Sequence, residues 1–92
     1  MKVYIAGPMT GYENFNREAF FKAAKELKGM GWEPIFTAYL PDGLTYEEYL
    51  KNSLELIKGC NAIYLLRGWE ESKGALMEDG YAKSRGLPEI RL

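Results

Sequence analysis

Histidine is absent from this sequence of 92 residues, and cysteine occurs once, at Cys60. These absences exclude a disulfide framework, zinc sites built from cysteine and histidine, and the Ser-His and Cys-His pairs of nucleophilic catalysis. We therefore expect no metal and no cofactor. Any catalysis must come from carboxylates, hydroxyl groups, tyrosine, lysine or backbone groups.

Long apolar runs and an excess of charge are missing as well. The longest apolar run, residues 62–66, is far shorter than the roughly 20 residues that span a bilayer, and the apolar start is too brief for a signal peptide. A net charge of −1, with scattered lysines and arginines, gives no attraction to nucleic acid or anionic lipid. We expect a cytoplasmic protein that binds neither nucleic acid nor membrane.

What is present is typical of an ordered globular protein, with 47% hydrophobic and 27% charged residues. A chain of this length forms one modest core, so the sequence predicts a single domain over residues 1–92. Chains of this size often self-associate. We therefore expect a homo-oligomer.

Strand and helix patterns alternate along the chain. A capping-box pattern at Thr45 and Glu48 starts the second helix, Ser72 caps the third, and Asn14 or Asn16 caps the first. The alternation predicts an α/β fold, a three-layer Rossmann- or flavodoxin-like sandwich with a parallel sheet of about four strands and helices on both faces. The predicted strands are residues 2–6, 32–36, 61–66 and 87–92. The predicted helices, one before each of the last three strands, are residues 14–30, 46–58 and 73–85.

Ligands of such sheets bind beyond the carboxyl ends of the strands, where two loops qualify. One is AGPMTG at residues 6–11, in which Gly7 and Gly11 let the backbone turn tightly and approach an anion. By itself this loop also fits a plain strand-to-helix turn, and Met9 is as readily a packing residue as a ligand contact. The other loop is residues 67–74, after the third strand.

Glu78 is the carboxylate that stands out, because helical spacing places it on the same face as Ala75 and Ala82. A carboxylate on an apolar face must be hydrogen-bonded or functional, since an unpaired buried charge is too costly. The alternative is that Glu78 sits at the border of this face and reaches solvent. A purely structural module predicts that second arrangement.

Several other side chains allow two interpretations. Trp69 either stacks on a heterocyclic base, which we predict, or covers the edge of the core. Tyr4 either packs in the core or brings its hydroxyl to the first loop. Arg17 either pairs with a phosphate or is a solvated surface charge. Tyr46 and Tyr49 are interpreted as packing residues.

Together, VYIAGPMTG at 3–11, FNREAF at 15–20 and GWEESKGALMED at 68–79 resemble the nucleoside 2-deoxyribosyltransferase superfamily, in particular its short phage and bacterial members. The resemblance implies cleavage of the N-glycosidic bond of deoxyribonucleosides or their 5′-monophosphates, with transfer of the sugar to another base or to water. It also implies that Glu78, the glutamate of an SxGxxxE pattern, is the nucleophile, and we assign Tyr4 to the catalytic residues as well.

The same resemblance implies the substrate contacts. Ser72 and Gly74 would hold a 5′-hydroxyl or phosphate, and Ser53 would contact the sugar where the family's enzymes carry an aspartate. Asn61 is a second departure, at a position where an aspartate is common. A protein that binds a nucleoside or nucleotide without turnover is therefore the alternative function. The sugar and base pocket would be lined by Tyr4 and the first loop, that is Gly7, Pro8, Met9, Thr10 and Gly11.

Overall fold

The computed structural model describes residues 1–37 and 45–91. Four strands and three α-helices alternate, as predicted, with short 3₁₀ turns at Glu13–Asn16 and Trp69–Glu71. No helix in these residues is long and apolar enough to cross a membrane. The elements are β1 (Lys2–Ala6), α1 (Arg17–Gly29), β2 (Glu33–Ile35), α2 (Tyr46–Lys58), β3 (Ala62–Leu65), α3 (Lys73–Ser84) and β4 (Glu89–Ile90).

The strands form one parallel sheet in the order β2-β1-β3-β4. Alternation along β1 sends Val3 and Ile5 to the face covered by α1, and Tyr4 to the face covered by α2 and α3. The predicted α/β fold class, with its small parallel sheet and helices on both faces, is confirmed. That the chain forms a single domain stays a prediction.

The connections after β1 and β3 create the crevice of the sheet. These two strands are neighbours, paired from Val3 with Ala62 to Ala6 with Leu65, and the chain leaves β1 for α1 on one face and β3 for α3 on the other. In an open α/β sheet this divergence is where ligands bind. The first loop and residues 67–72 therefore meet at the same edge.

The start of α1 differs from the sequence prediction. Helix α1 begins at Arg17, because Asn14, Phe15 and Asn16 adopt left-handed conformations with φ of 51°, 54° and 61°. Asparagine tolerates this region better than most residues. Neither asparagine caps α1 through its side chain; instead the Asn16 amide donates to Pro8 O at 3.0 Å, which ties the turn to the first loop.

Three predicted strands are longer than the observed ones. The unbroken apolar sequence of the third predicts a strand buried on both faces, but it is only partly buried. Within β3, Tyr64 and Leu65 are only half-buried. For Tyr64, the physical reason is that α1 packs over β1 and β2, so that among the described residues no second helix covers this side of the sheet. Asn61 precedes β3, and its Oδ1 accepts a hydrogen bond from Lys2 N at 2.9 Å.

The capping box of α2 allows a stability prediction. Thr45 Oγ1 accepts from Glu48 N at 3.1 Å, and Thr45 N donates to Glu48 Oε1 at 3.0 Å. Thr45→Ala removes the hydroxyl that accepts from Glu48 N and leaves that amide without its partner, so we expect the free energy of unfolding to fall by about 1 kcal/mol. Urea unfolding followed by circular dichroism measures it, and an unchanged midpoint would contradict the role of the cap.

Candidate functional site

Helix α3 carries Glu78 on the face that packs against the sheet, between Ala75 and Ala82. Glu78 is 4% exposed, so the alternative in which it reaches solvent is wrong. Its carboxylate is therefore held inside the protein, and its hydrogen-bond partners decide what it can do.

Two hydroxyl groups satisfy this carboxylate. Tyr4, at the middle of β1, donates its hydroxyl proton to Glu78 Oε2 at 2.6 Å. The Ser53 side chain, from α2, also hydrogen-bonds Glu78, and its hydroxyl donates to Leu50 O at 2.9 Å. Because a serine hydroxyl has one proton, Ser53 serves one of these two acceptors at a time.

Burial and hydrogen bonding act in opposite directions on Glu78. Burial raises the pKa of its carboxyl, and the hydrogen bonds from Tyr4 and Ser53 partly offset that rise, which leaves the pKa at about 7. Burial, and second the charge of Glu78, raise the pKa of Tyr4 well above its ordinary value, so the phenol stays protonated. Near neutral pH the site therefore holds a carboxylate that is partly ionised beside a hydrogen-bond donor.

Sequence reasoning missed two residues that extend this cluster. Thr37 is buried, and its side chain hydrogen-bonds the Tyr4 hydroxyl. Its Oγ1 also bonds the hydroxyl of Tyr49, which in turn contacts Met9 Sδ of the first loop. Tyr49 was interpreted as packing; its position four residues before Ser53, on the same face of α2, was the available signal.

Close packing fixes the first loop against the end of β3. A Cβ atom on Gly7 would lie 2.7 Å from Cβ and Cδ1 of Leu66, so only glycine fits there without displacing the chain. Gly68, at φ of +88°, lies near the Pro8 ring, and a Cβ atom on Gly68 would come within 3.4 Å of Pro8 Cγ. The two loops that the sequence predicted at one edge are thus in contact.

The start of α3 forms the other side of this edge. Ser72 Oγ accepts from Ala75 N at 3.2 Å, which confirms the predicted cap. Gly74 is half-buried, and a Cβ added there would meet no atom within 4 Å, so open space adjoins the first turn. Thr10 and Gly11 lie exposed at the outer end of the first loop.

Trp69 and Arg17 lie around this cluster. Trp69 packs against the core cluster that contains Tyr4, and Lys83 Nζ lies 5.9 Å from the centre of its ring, an arrangement that covers the core edge. Contact between Trp69 and a ligand stays a prediction. Arg17 donates to Asn14 Oδ1 at 3.2 Å, stacks over Phe15 and acts electrostatically on Tyr49.

Next to Glu78, Asp79 is also buried. Its Oδ2 pairs with Lys83 Nζ at 2.7 Å, while Oδ1 has no hydrogen-bond partner among the described residues. The part of the chain that the structure describes holds no group of three or more side chains suited to a metal ion. Among the described residues, Asp79 is bonded to Lys83 and to no member of the Glu78 cluster.

A groove of about 780 Å³ opens on the α1 side of the sheet. Its walls include Tyr12, Lys22, Tyr64 and Arg67. Glu78 lies on the opposite face, with α2 and α3. The groove and the buried carboxylate are therefore separate features.

Comparison with solved structures places the fold among known ones. A 2-desoxiribosyltransferase from Leishmania mexicana matches with a TM-score of 0.76 and 22% identity, over 97% of this chain and 61% of its own. The CMP N-glycosidase BcmB from Clostridium botulinum matches with a TM-score of 0.71 and 20% identity, over 98% of this chain and 69% of its own. The likeness confirms, at the level of the fold, the resemblance that the motifs indicated.

Sequence comparison gives the family. No curated protein matches the chain. A family model described as a domain of unknown function, DUF4406, matches residues 1–90, which is nearly the whole sequence. The chain therefore belongs to the DUF4406 family.

Proposed function

We propose that this protein cleaves the N-glycosidic bond of nucleosides or nucleotides, with Glu78 as the nucleophile. The observation that carries the proposal is the buried Glu78 carboxylate, which accepts a 2.6 Å hydrogen bond from the Tyr4 hydroxyl at the middle of β1. Two proteins of the same fold, a deoxyribosyltransferase and a CMP N-glycosidase by name, act in this class of chemistry. Their likeness supports the proposal.

The proposed reaction proceeds in two displacements. An oxygen of ionised Glu78 forms an ester bond to the anomeric carbon of the sugar, while the bond from that carbon to the base breaks. The base leaves with the electron pair and takes a proton from solvent. Water, or the nitrogen of a second base, then attacks the same carbon, loses its proton and restores the Glu78 carboxylate, with overall retention of configuration.

Neighbouring groups have supporting roles in this proposal. The Tyr4 hydroxyl orients Glu78 and stabilises its ionised form. The open space at Gly74 and the amide groups of the first turn of α3 suit a 5′-hydroxyl or phosphate, because a helix start favours negative charge. The first loop, from Gly7 to Gly11, provides the wall for sugar and base.

The test is a product assay with deoxynucleosides, ribonucleosides and their 5′-monophosphates, in which free base is measured by chromatography. We expect base release by the wild type and a loss of at least about 1,000-fold in Glu78→Gln, since the amide is not a nucleophile. Glu33→Gln, which changes an exposed glutamate at the start of β2 and away from both loops, is the matched control and should keep full activity. Equal activity in Glu78→Gln would eliminate Glu78 as the nucleophile.

Ser53 is the observation that favours a second candidate, a binding protein without turnover. Its hydroxyl is fully buried and cannot supply the charge of the aspartate that the resemblance implies at this position. Such a protein would be stabilised by a nucleoside or nucleotide to a degree that rises with the logarithm of ligand concentration above the Kd, with no release of base. A thermal-shift titration alongside the product assay separates the two candidates.

A further inference from the structure

A row of hydroxyl groups leads away from Glu78 through three elements of the fold. Tyr4 in β1 donates to Glu78, Thr37 after β2 hydrogen-bonds Tyr4, and Tyr49 in α2 bonds Thr37. The row ends where the Tyr49 hydroxyl contacts Met9 Sδ in the first loop. Tyr4 and Thr37 are almost completely buried, so water does not compete for these bonds.

The number of protons in this row limits its arrangements. Each hydroxyl has a single proton, and that of Tyr4 is directed to Glu78. The Thr37 hydroxyl can therefore donate a hydrogen bond to the hydroxyl of either Tyr4 or Tyr49, but not to both. When Thr37 donates to Tyr4, the Tyr49 hydroxyl donates to Thr37; when Thr37 donates to Tyr49, the Tyr49 proton turns to Met9 Sδ.

The charge on Glu78 distinguishes the two arrangements. An ionised carboxylate is only an acceptor, and hydrogen bonds that point in one direction toward a charge polarise and strengthen one another. Thioether sulfur is a weak acceptor, so little is lost when Tyr49 turns away from Met9. We propose that Thr37 and Tyr49 are positioning residues, whose hydroxyls align toward Glu78 when it is ionised and reverse toward Met9 when it is neutral.

Among residues 1–37 and 45–91, few charged or titratable groups face this row. Ser53 from α2 reaches Glu78 directly, and the charge of Arg17, at the start of α1, acts on Tyr49. Asp79, the next residue of α3, is paired with Lys83. Substitution of Thr37 or Tyr49 leaves all of these groups in the sequence, so a change in the pKa of Glu78 is attributed to the lost hydroxyl.

The consequence for catalysis rests on the proposed function. Formation of a glycosyl ester removes the charge of Glu78, and the row would then be free to reverse, which weakens donation to the ester oxygen. Hydrolysis restores the carboxylate and the original direction. Thr37 and Tyr49 thus act through Tyr4, without contact with the substrate.

The experiment measures the pKa of Glu78 itself, with ¹³C-labelled glutamate, carboxyl NMR and assignment by Glu78→Gln. Loss of a donor to Tyr4 makes Tyr4 a weaker donor, so Thr37→Val and Tyr49→Phe should each raise the Glu78 pKa by about 0.3. Thr37→Ser retains the hydroxyl and should restore the wild-type value. Tyr46→Phe is the matched control, because Tyr46 lies on the same helix with its exposed hydroxyl 3.4 Å from Met77 Sδ.

The outcomes are decisive without any substrate. If the Glu78 pKa is unchanged in both Thr37→Val and Tyr49→Phe, the proposed positioning role is overturned, even if the enzyme is active. A shift in Tyr46→Phe as large as that in Tyr49→Phe overturns it as well. A higher Glu78 pKa in Tyr49→Phe, together with the wild-type pKa in Thr37→Ser, supports the positioning role. It does so even if the protein releases no base, because the lack of base release would overturn only the proposed function. If Thr37→Val does not fold, Tyr49→Phe decides alone.

Discussion

Glu78→Gln should make the protein more stable at pH 8, by up to about 3 kcal/mol, because the wild type must hold an ionised carboxylate in a buried site. An ordinary glutamate ionises near 4.5, whereas burial raises the pKa of Glu78 to about 7 in the folded protein. The fold thus favours the protonated form. Wild-type stability should fall as the pH rises from 4.5 to 7 and remain level above that, while the glutamine variant lacks this dependence.

Urea unfolding of both proteins from pH 4 to pH 8 measures the effect, since the other titrating groups are common to the two and cancel in the difference. Glu71→Gln, at an exposed position, should follow the wild type throughout. A stability difference that is constant with pH would show that Glu78 is not held in the way its burial implies. The predicted result links function and stability, because the carboxylate proposed as the nucleophile lowers the free energy of unfolding when it is ionised in its buried site.

Gly7→Ala should destabilise the protein by about 2 kcal/mol through overpacking. The added Cβ would lie 2.7 Å from both Cβ and Cδ1 of Leu66, so the first loop or the end of β3 must move. Displacement of this loop also disturbs Met9, at the end of the hydroxyl row, and the wall proposed for the ligand. The loss should be visible both in urea unfolding and in ligand-induced thermal shifts.

Gly80→Ala is the matched control for this substitution. Gly80 lies exposed within α3, where a Cβ meets no atom within 4 Å. Alanine there should stabilise the protein by about 1 kcal/mol, because glycine is a poor helix former. Destabilisation by both substitutions would contradict the contact with Leu66 as the cause of the first effect.

The position of Glu78 within α3 was predictable because it depends on local rules. Its spacing from Ala75 and Ala82 put it on the buried face, and the Ser72 cap set the start of the helix. The same holds for the capping box at Thr45. Such features follow from bonds between residues three or four apart, which the sequence shows directly.

The left-handed turn before α1 was not predictable in this way. A helical pattern continues back to Asn14. The side-chain amide of Asn16, however, donates a hydrogen bond to Pro8 O in the first loop, and that bond competes with helix formation. The half-buried side of β3 is a similar case. Whether Tyr64 is covered depends on which strands α1 packs over, a matter of helix placement that periodicity does not contain.

The sequence by itself determined the alternation of strands and helices, the helix caps and the face on which Glu78 lies, because each of these rests on short-range periodicity and hydrogen bonding. Only the tertiary structure decided what Glu78 meets. Tyr4 lies 74 positions away along the chain, and Thr37 and Tyr49 come from two further segments. Their meeting depends on the order β2-β1-β3-β4 and on the packing of α2 beside α3, which are set by burial of the whole core.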